Sequence, residues 1–345
     1  MSALPNNQTM DILNIILNIL SSALPCCLLA IGVFLTFRLL NFADMTAEGS
    51  FLLGAALTAA CIYNGVNPFL ATVLGMLVGI VCGIVTGFLN RILKIPKLLS
   101  GIITLTASAS IALLIMGITN PNDLFGQQIP MAALIGKDSA INTIYSTFYP
   151  WNQWNRLVEV GVMAAIVLVV IVGIYYFFGT EYGMAIRATG MNEKMASSQG
   201  INTTVSTIAC IAISNGLIGL AGALYVQDAL SVSTVSATGY LVIGLASILI
   251  GEAIFGKRSF KNWLISVALG AVLYFTIITV AIKLGLRTEF KSLLYAVLIT
   301  IALCIPMIRR FFIFLGKTIY KYVLRPIGHC FKKIFGKRGN KDARA

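Results

Sequence analysis

Between Gly49 and Asn90 the chain runs for 42 residues without one Asp, Glu, Lys or Arg. As one helix this stretch would reach about 63 Å at 1.5 Å per residue, roughly twice the ~30 Å hydrocarbon core of a bilayer. It must therefore cross twice, and Asn64-Gly65-Val66-Asn67-Pro68 supplies the turn between crossings. The rest of the chain has the same character, with 58% apolar and only 11% charged residues. Soluble domains carry about 25% charged residues, so a soluble fold is excluded. Runs this apolar span a membrane only as helices, because lipid offers backbone groups no partners. Nine spans are expected, at approximately 12–37, 50–63, 68–90, 98–119, 157–178, 203–227, 238–255, 262–282 and 292–308. The expected protein is an all-α integral membrane protein, multi-pass in the cell membrane. Its membrane domain is expected to cover 1–308, and a basic amphipathic cytoplasmic tail 309–345.

The formal net charge is +13, but eleven of the 25 Lys and Arg residues fall within 309–345. Contact with an anionic lipid surface explains such a tail, and nucleic-acid binding is not expected. Loop charges also orient the spans. With 179–200 placed in the cytoplasm, the inner regions 38–48, 91–97, 179–200, 256–261 and the tail hold 20 Lys and Arg, against five outside. The longest external element is then 120–155, a candidate for docking another protein. One histidine and cysteines scattered through apolar stretches assemble no metal cluster, so no metal and no cofactor are expected in this chain.

Glycines recur at Gly75, Gly79, Gly83 and Gly87, and again at Gly216, Gly219 and Gly222. Such stripes let helix backbones approach closely in lipid, and helix packing is the expected role. The loop 179–202 differs from every apolar span. Thr180 and Asn192 are N-cap candidates, and Gly190 and Gly200 are candidate stops. Two short helices are expected, with Gly190 as the hinge between them or as a close-contact point where any side chain interferes, forming a compact polar element suited to a groove on another protein.

The pattern Glu181-x-Gly183-x-x-x-Arg187-Ala188-x-Gly190-x-Asn192-x-x-x-Ala196-x-x-x-Gly200-Ile201 resembles the coupling loop of branched-chain amino-acid-type ABC importer permeases. Gly219-Leu220-Ala221-Gly222-Ala223-Leu224 and Asn41-Phe42-Ala43-Asp44 are similar to the same family, and the likeness spans about 12 to 308. It implies a type II-like permease with two membrane subunits, a homodimer of this chain being expected. It further implies a cytoplasmic ATPase dimer and an external solute-binding protein. In that picture Glu181, Gly183, Arg187, Ala188, Gly190, Asn192, Ala196 and Gly200 meet the ATPase. The runs Asp44–Phe51 and Gly244–Ala253 depart from the common pattern. They look like a subgroup found beside binding proteins for tryptophan or tyrosine, which implies an aromatic amino acid as solute.

The array also reads as an inverted repeat. Gly49-x-x-x-x-Gly54-x-Ala56 opens the second span and Gly239-x-x-x-x-Gly244-x-Ala246 the seventh. Interrupted helices near the substrate route are common in such repeats, so Asp44, Thr46, Glu48, Gly49, Gly54, Gly239 and Gly244 are candidate pathway residues. A three-residue match also arises by coincidence, and both readings stand. Asp44 and Glu48 are expected at a cytoplasmic rim, pairing with Arg38, because a lone buried charge is costly. Glu252 is expected at a cytoplasmic helix end.

An ion-coupled secondary transporter is the alternative. It calls for ionisable groups deep in the spans, which these charge-poor runs do not offer, and it leaves the 179–202 loop unexplained. An enzyme lacks both a metal-ligand set and a Ser-His or Cys-His pair. No phosphate-binding glycine motif occurs, so ATP must be handled by a separate subunit.

Overall fold

The computed structural model describes residues 5–119, 155–229 and 239–284 and a few single positions beyond, with side chains placed from Ile15 onward. The ten helices whose bounds fall among the described residues lie within the unit Met1–Tyr295. Helix α1 spans Pro5–Phe34 and is prolonged by a π turn over Leu35–Leu39. Then follow α2 (Thr46–Tyr63), α3 (Pro68–Arg91) and α4 (Lys97–Thr119). After α5 (Asn155–Phe177) come two short helices, α6 (Glu181–Met191) and α7 (Glu193–Ser198). Helices α8 (Thr203–Ala229), α9 (Tyr240–Phe255) and α10 (Phe260–Lys283) complete the array.

Among the described residues seven helices are long and apolar enough to cross a membrane, and α9 is a shorter apolar helix. These eight match the first eight expected spans. The ninth, 292–308, lies outside the described residues but for three positions, and the external segment 120–155 and the tail 309–345 lie almost wholly outside them. Helices α1, α2 and α8 are mostly buried, whereas α3, α4, α5 and α10 turn most of their surface outward. The turn at 64–67 forms as expected, with Asn67 capping α3 by accepting from the Phe69 N–H at 3.0 Å.

The glycine stripes do pack helices together. A Cβ at Gly219 would lie 2.5 Å from the Gly75 carbonyl oxygen, and one at Gly83 would lie 2.5 Å from that of Ile211. Backbones of α3 and α8 thus meet with no room for side chains, the close approach that substitutes for hydrophobic drive in lipid. Gly54 belongs to the same crossing, since its Cβ would sit 2.6 Å from the Gly219 carbonyl oxygen. The hydroxyl of Ser214 on α8 donates to the Gly32 carbonyl of α1 at 2.7 Å, fastening the third central helix.

The chain between α1 and α2 does not stay at a rim. Phe42 and Asp44 are buried, and Asp44 reaches Asn215, about 18 Å along α8 from its start at 1.5 Å per residue. Non-helical backbone is tolerated at such depth when protein surrounds it. Helix α9 is short for the complementary reason. Its 16 residues cover about 24 Å, less than the ~30 Å core, and Gly239 at its N-cap has a left-handed φ of 93°.

Candidate functional site

The capped loop forms as two helices, with one correction. Thr180 accepts from the Gly183 N–H at 3.3 Å to cap α6, and Asn192 accepts from the Met195 N–H at 3.1 Å to cap α7. Gly190 is no hinge. It lies inside α6, and the break comes at Asn192, whose extended backbone (φ −156°, ψ 103°) ends one helix and starts the next. What Gly190 provides is closeness: any Cβ there would collide with the Leu39 carbonyl, and its own carbonyl accepts from Asn41 Nδ2 at 3.0 Å. Gly200, with φ 81°, terminates the α7 turn, and the Ile201 N–H returns to the Ala196 carbonyl at 3.1 Å.

Helix α6 is seated by Gly183, Ile186 and Thr189, three buried residues at three-residue spacing. Gly183 packs on the backbone of Phe177 and Phe178, and the buried Ala196 holds α7. Ala188 takes the capping Asn192 N–H on its carbonyl at 3.0 Å. The Arg187 guanidinium lies 4.9 Å from the centre of the Phe260 ring, so it ties α6 to the start of α10. Such a stack contributes about 0.5–1 kcal/mol where exposed. Glu193 of α7 pairs with Arg91 at the end of α3, and Arg91 also donates to Thr207 Oγ1 at 2.6 Å. The hydrogen bond from Arg91 holds the Glu193 carboxyl below its usual range. Around these anchors the element exposes Glu181, Tyr182, Met191 and Met195, with Tyr182 81% and Met191 85% accessible. Tyr182 near the start of α6 and Met191 at its end are the barest apolar side chains of the element.

The deeper candidates join a polar network that also takes in Thr86 and Asn215, two residues nothing in the sequence had singled out. Asp44 accepts from the Thr46 N–H at 2.9 Å and from Asn215 Nδ2 at 2.7 Å. Ser50 donates to Asn215 Oδ1 at 2.7 Å, and the hydroxyls of Thr46 and Thr86 lie 2.7 Å apart. Asp44 is therefore an interior group at the junction of α2, α3 and α8, not a rim residue. Nor does Arg38 pair with Asp44 or Glu48: its guanidinium meets Glu252 at 2.6 Å. Glu48 instead accepts from the Gly239 N–H at 3.0 Å, capping α9. The two helix starts singled out by the repeated motif thus touch. Beside them Phe51 stacks on Tyr240 with ring centres 4.2 Å apart, and Tyr225 lies 5.5 Å from each. Gly49, Gly54 and Gly244 serve helix crossings, facing Ser108 and Leu105, Gly219, and Leu29 and Val33 respectively.

Residues 15–303 match the family model for the branched-chain amino acid transport system permease component. The chain belongs to that family. A tyrosine transport system permease protein of Clostridioides difficile (strain R20291) is 33% identical over 285 residues, covering 82% of this chain and 88% of that one. A nucleoside ABC transporter permease protein, NupC of Lactococcus lactis subsp. cremoris (strain MG1363), is 26% identical over 254 residues, covering 69% and 75%. The solved structure of PsaBC from Streptococcus pneumoniae in complex with Fab is 17% identical, with a TM-score of 0.34 and coverage of 75% and 89%. That likeness is too low to carry an argument. The family makes this chain a multi-pass permease of the cell membrane and a component of an amino-acid transport system.

Proposed function

We propose that this permease works in an ATP-driven importer that takes up an aromatic amino acid, with L-tyrosine the first solute to test. Its partners in this reading are a cytoplasmic ATPase dimer, a second copy of the chain and an external solute-binding protein. The observation that carries it is the α6–α7 element, capped by its own side chains, with Tyr182 and Met191 bare at the two ends of α6. A membrane bundle has no use for such an element. A soluble partner with an apolar groove does. The likeness to the tyrosine permease, together with the Phe51, Tyr225 and Tyr240 cluster beside the α9 start, supports an aromatic solute.

Tyr182→Asp and Met191→Asp test the partner. Both side chains lie on the exposed surface, so the bundle should insert and melt as before. Copurification of the cognate ATPase should fall at least tenfold, and with it uptake of radiolabelled L-tyrosine. Copurification and uptake at wild-type level in both variants would refute the ATPase reading. A wild-type complex that hydrolyses ATP without accumulating tyrosine, while another amino acid is taken up, would refute only the solute.

A further inference from the structure

The segment Arg38–Glu48 touches three things at once. Its first residue, Arg38, is paired with Glu252 near the end of α9. Its last residue, Glu48, caps the start of that same helix at Gly239. Between them, Asn41 donates to the Gly190 carbonyl of α6 at 3.0 Å, and its own carbonyl accepts from Lys97 Nζ at 3.3 Å. The stretch from Gly239 to Glu252 covers about 20 Å at 1.5 Å per residue, and one short segment grips both ends of it. Helix α9 otherwise lies against α10, where a Cβ at Gly270 would lie 2.8 Å from the Gly251 nitrogen. It also packs on α1, through Gly244 on Leu29 and Val33, while Tyr240 in its first turn meets Phe51 of α2 and Tyr225 of α8.

We infer that Arg38–Glu48 is a mechanical strap linking the α6–α7 element to α9, and that the Glu48–Gly239 contact is the latch the strap opens. Glu48 is a positioning residue in this scheme. Its carboxylate holds the positive end of α9 against α2, where Phe51 and Tyr240 stack face to face and close the space between the two helix starts. A shift of α6 pulls on Asn41, whose φ of 50° places it at a tight left-handed bend. Asp44 is anchored to Asn215 of α8, so it acts as the fulcrum, and the displacement is delivered to Glu48. Arg38 keeps the far end of α9 attached meanwhile, so the helix tilts about Glu252 and its start swings away from α2. Small shifts at one site become discrete openings because packed elements have two arrangements, not a continuum.

The strap rests on the proposed ATPase contact of α6–α7, whereas the latch does not. The test uses the full-length permease with its cognate ATPase in nanodiscs, where reagents reach both faces. Leu241→Cys, in the first turn of α9, reports opening by its rate of reaction with a soluble maleimide, over that of the parent chain. Without nucleotide, Glu48→Ala should raise that rate at least fivefold, while Glu48→Gln, which keeps an acceptor for the Gly239 N–H, should change it less than twofold. ATP should raise the rate when Glu48 and Asn41 are both present, and Asn41→Ala should remove most of that rise. A rate unchanged by Glu48→Ala would overturn the latch, and a full ATP response in Asn41→Ala would overturn the strap. If Glu48→Ala does not fold, Asn41→Ala still decides the strap, and Glu48→Asp, one methylene too short to reach the Gly239 N–H, takes its place for the latch with the same rise expected. An ATP response absent from every chain, with Glu48→Ala still opening α9, would uphold the latch and overturn the ATPase reading together with the strap.

Discussion

The Arg38 guanidinium donates to the Glu252 carboxylate at 2.6 Å across 214 positions of sequence, and Trp263 Nε1 donates to the other oxygen of that carboxylate at 2.8 Å. One side chain from α9 thereby collects the end of α1 and the start of α10. Trp263 is itself held edge-on by Phe34, with ring centres 4.8 Å apart.

Removing the carboxylate should therefore cost more than one surface ion pair. Exposed pairs contribute about 0–1 kcal/mol, but Glu252 is mostly buried and takes two donors. Hydrogen bonds to charged groups contribute about 1.5–3 kcal/mol. Glu252→Ala should destabilise the purified chain by about 2 kcal/mol in denaturant titrations in mixed micelles. Glu252→Gln, which can still accept from Trp263, should cost about half of that. Equal losses would show that Trp263 contributes nothing.

The glycine crossing predicts a graded series. A Cβ at Gly219 would meet backbone at 2.5 Å, one at Gly87 would meet Ile208 less tightly, its side chain at 3.0 Å and its Cα at 3.1 Å, and one at Gly117 would meet nothing within 4 Å. Backbone cannot yield as a side chain can, and overpacking costs about 1–3 kcal/mol or more. Gly219→Ala should lose most of the monodisperse protein, Gly87→Ala should melt slightly early, and Gly117→Ala should match the parent. Size-exclusion profiles and thermal melts check the order. A tolerated Gly219→Ala would mean that α3 and α8 are further apart than described.

Much of this arrangement was legible in the chain itself, and what was hidden has a physical reason. Span positions followed from charge-free runs, because lipid excludes charge wherever the helices run. The N-caps Thr180 and Asn192 were readable because a cap is a local bond between residues three apart. For Gly190 hinge and close contact both stayed open, since the partner that decides for close contact, the Leu39 carbonyl, lies in a distant segment. The same holds for Arg38, whose nearest carboxylates in sequence, Asp44 and Glu48, both go to other partners. The cost of burying a charge argued for a rim position for Asp44, but only because its compensating donors are distant in sequence or in the backbone. Asn215 could have been found: a carboxamide at the centre of a 27-residue, mostly apolar helix is itself a sign of a partner.

That carboxamide supports the sharpest prediction on stability. Asn215 joins Asp44 and Ser50 by its two ends, and all three residues are buried. Asn215→Leu strips a donor from a buried carboxylate and an acceptor from a buried hydroxyl. An uncompensated buried charge costs about 3–5 kcal/mol, so the single variant should fold poorly or not at all. The carboxylate is the costly member, so removing it as well should help. Asp44→Leu combined with Asn215→Leu should regain at least about 1 kcal/mol over Asn215→Leu alone, a non-additivity expected of residues in one network. Conservative Asp44→Asn in the native background should cost less than either leucine variant, because Thr46 and Asn215 still find an oxygen. Denaturant midpoints for the parent, Asp44→Leu, Asn215→Leu and their double variant, with Asp44→Asn beside them, would decide it. Additive losses would mean that the Asp44–Asn215 bond contributes no coupling, and that the two residues are held in place by their helices alone.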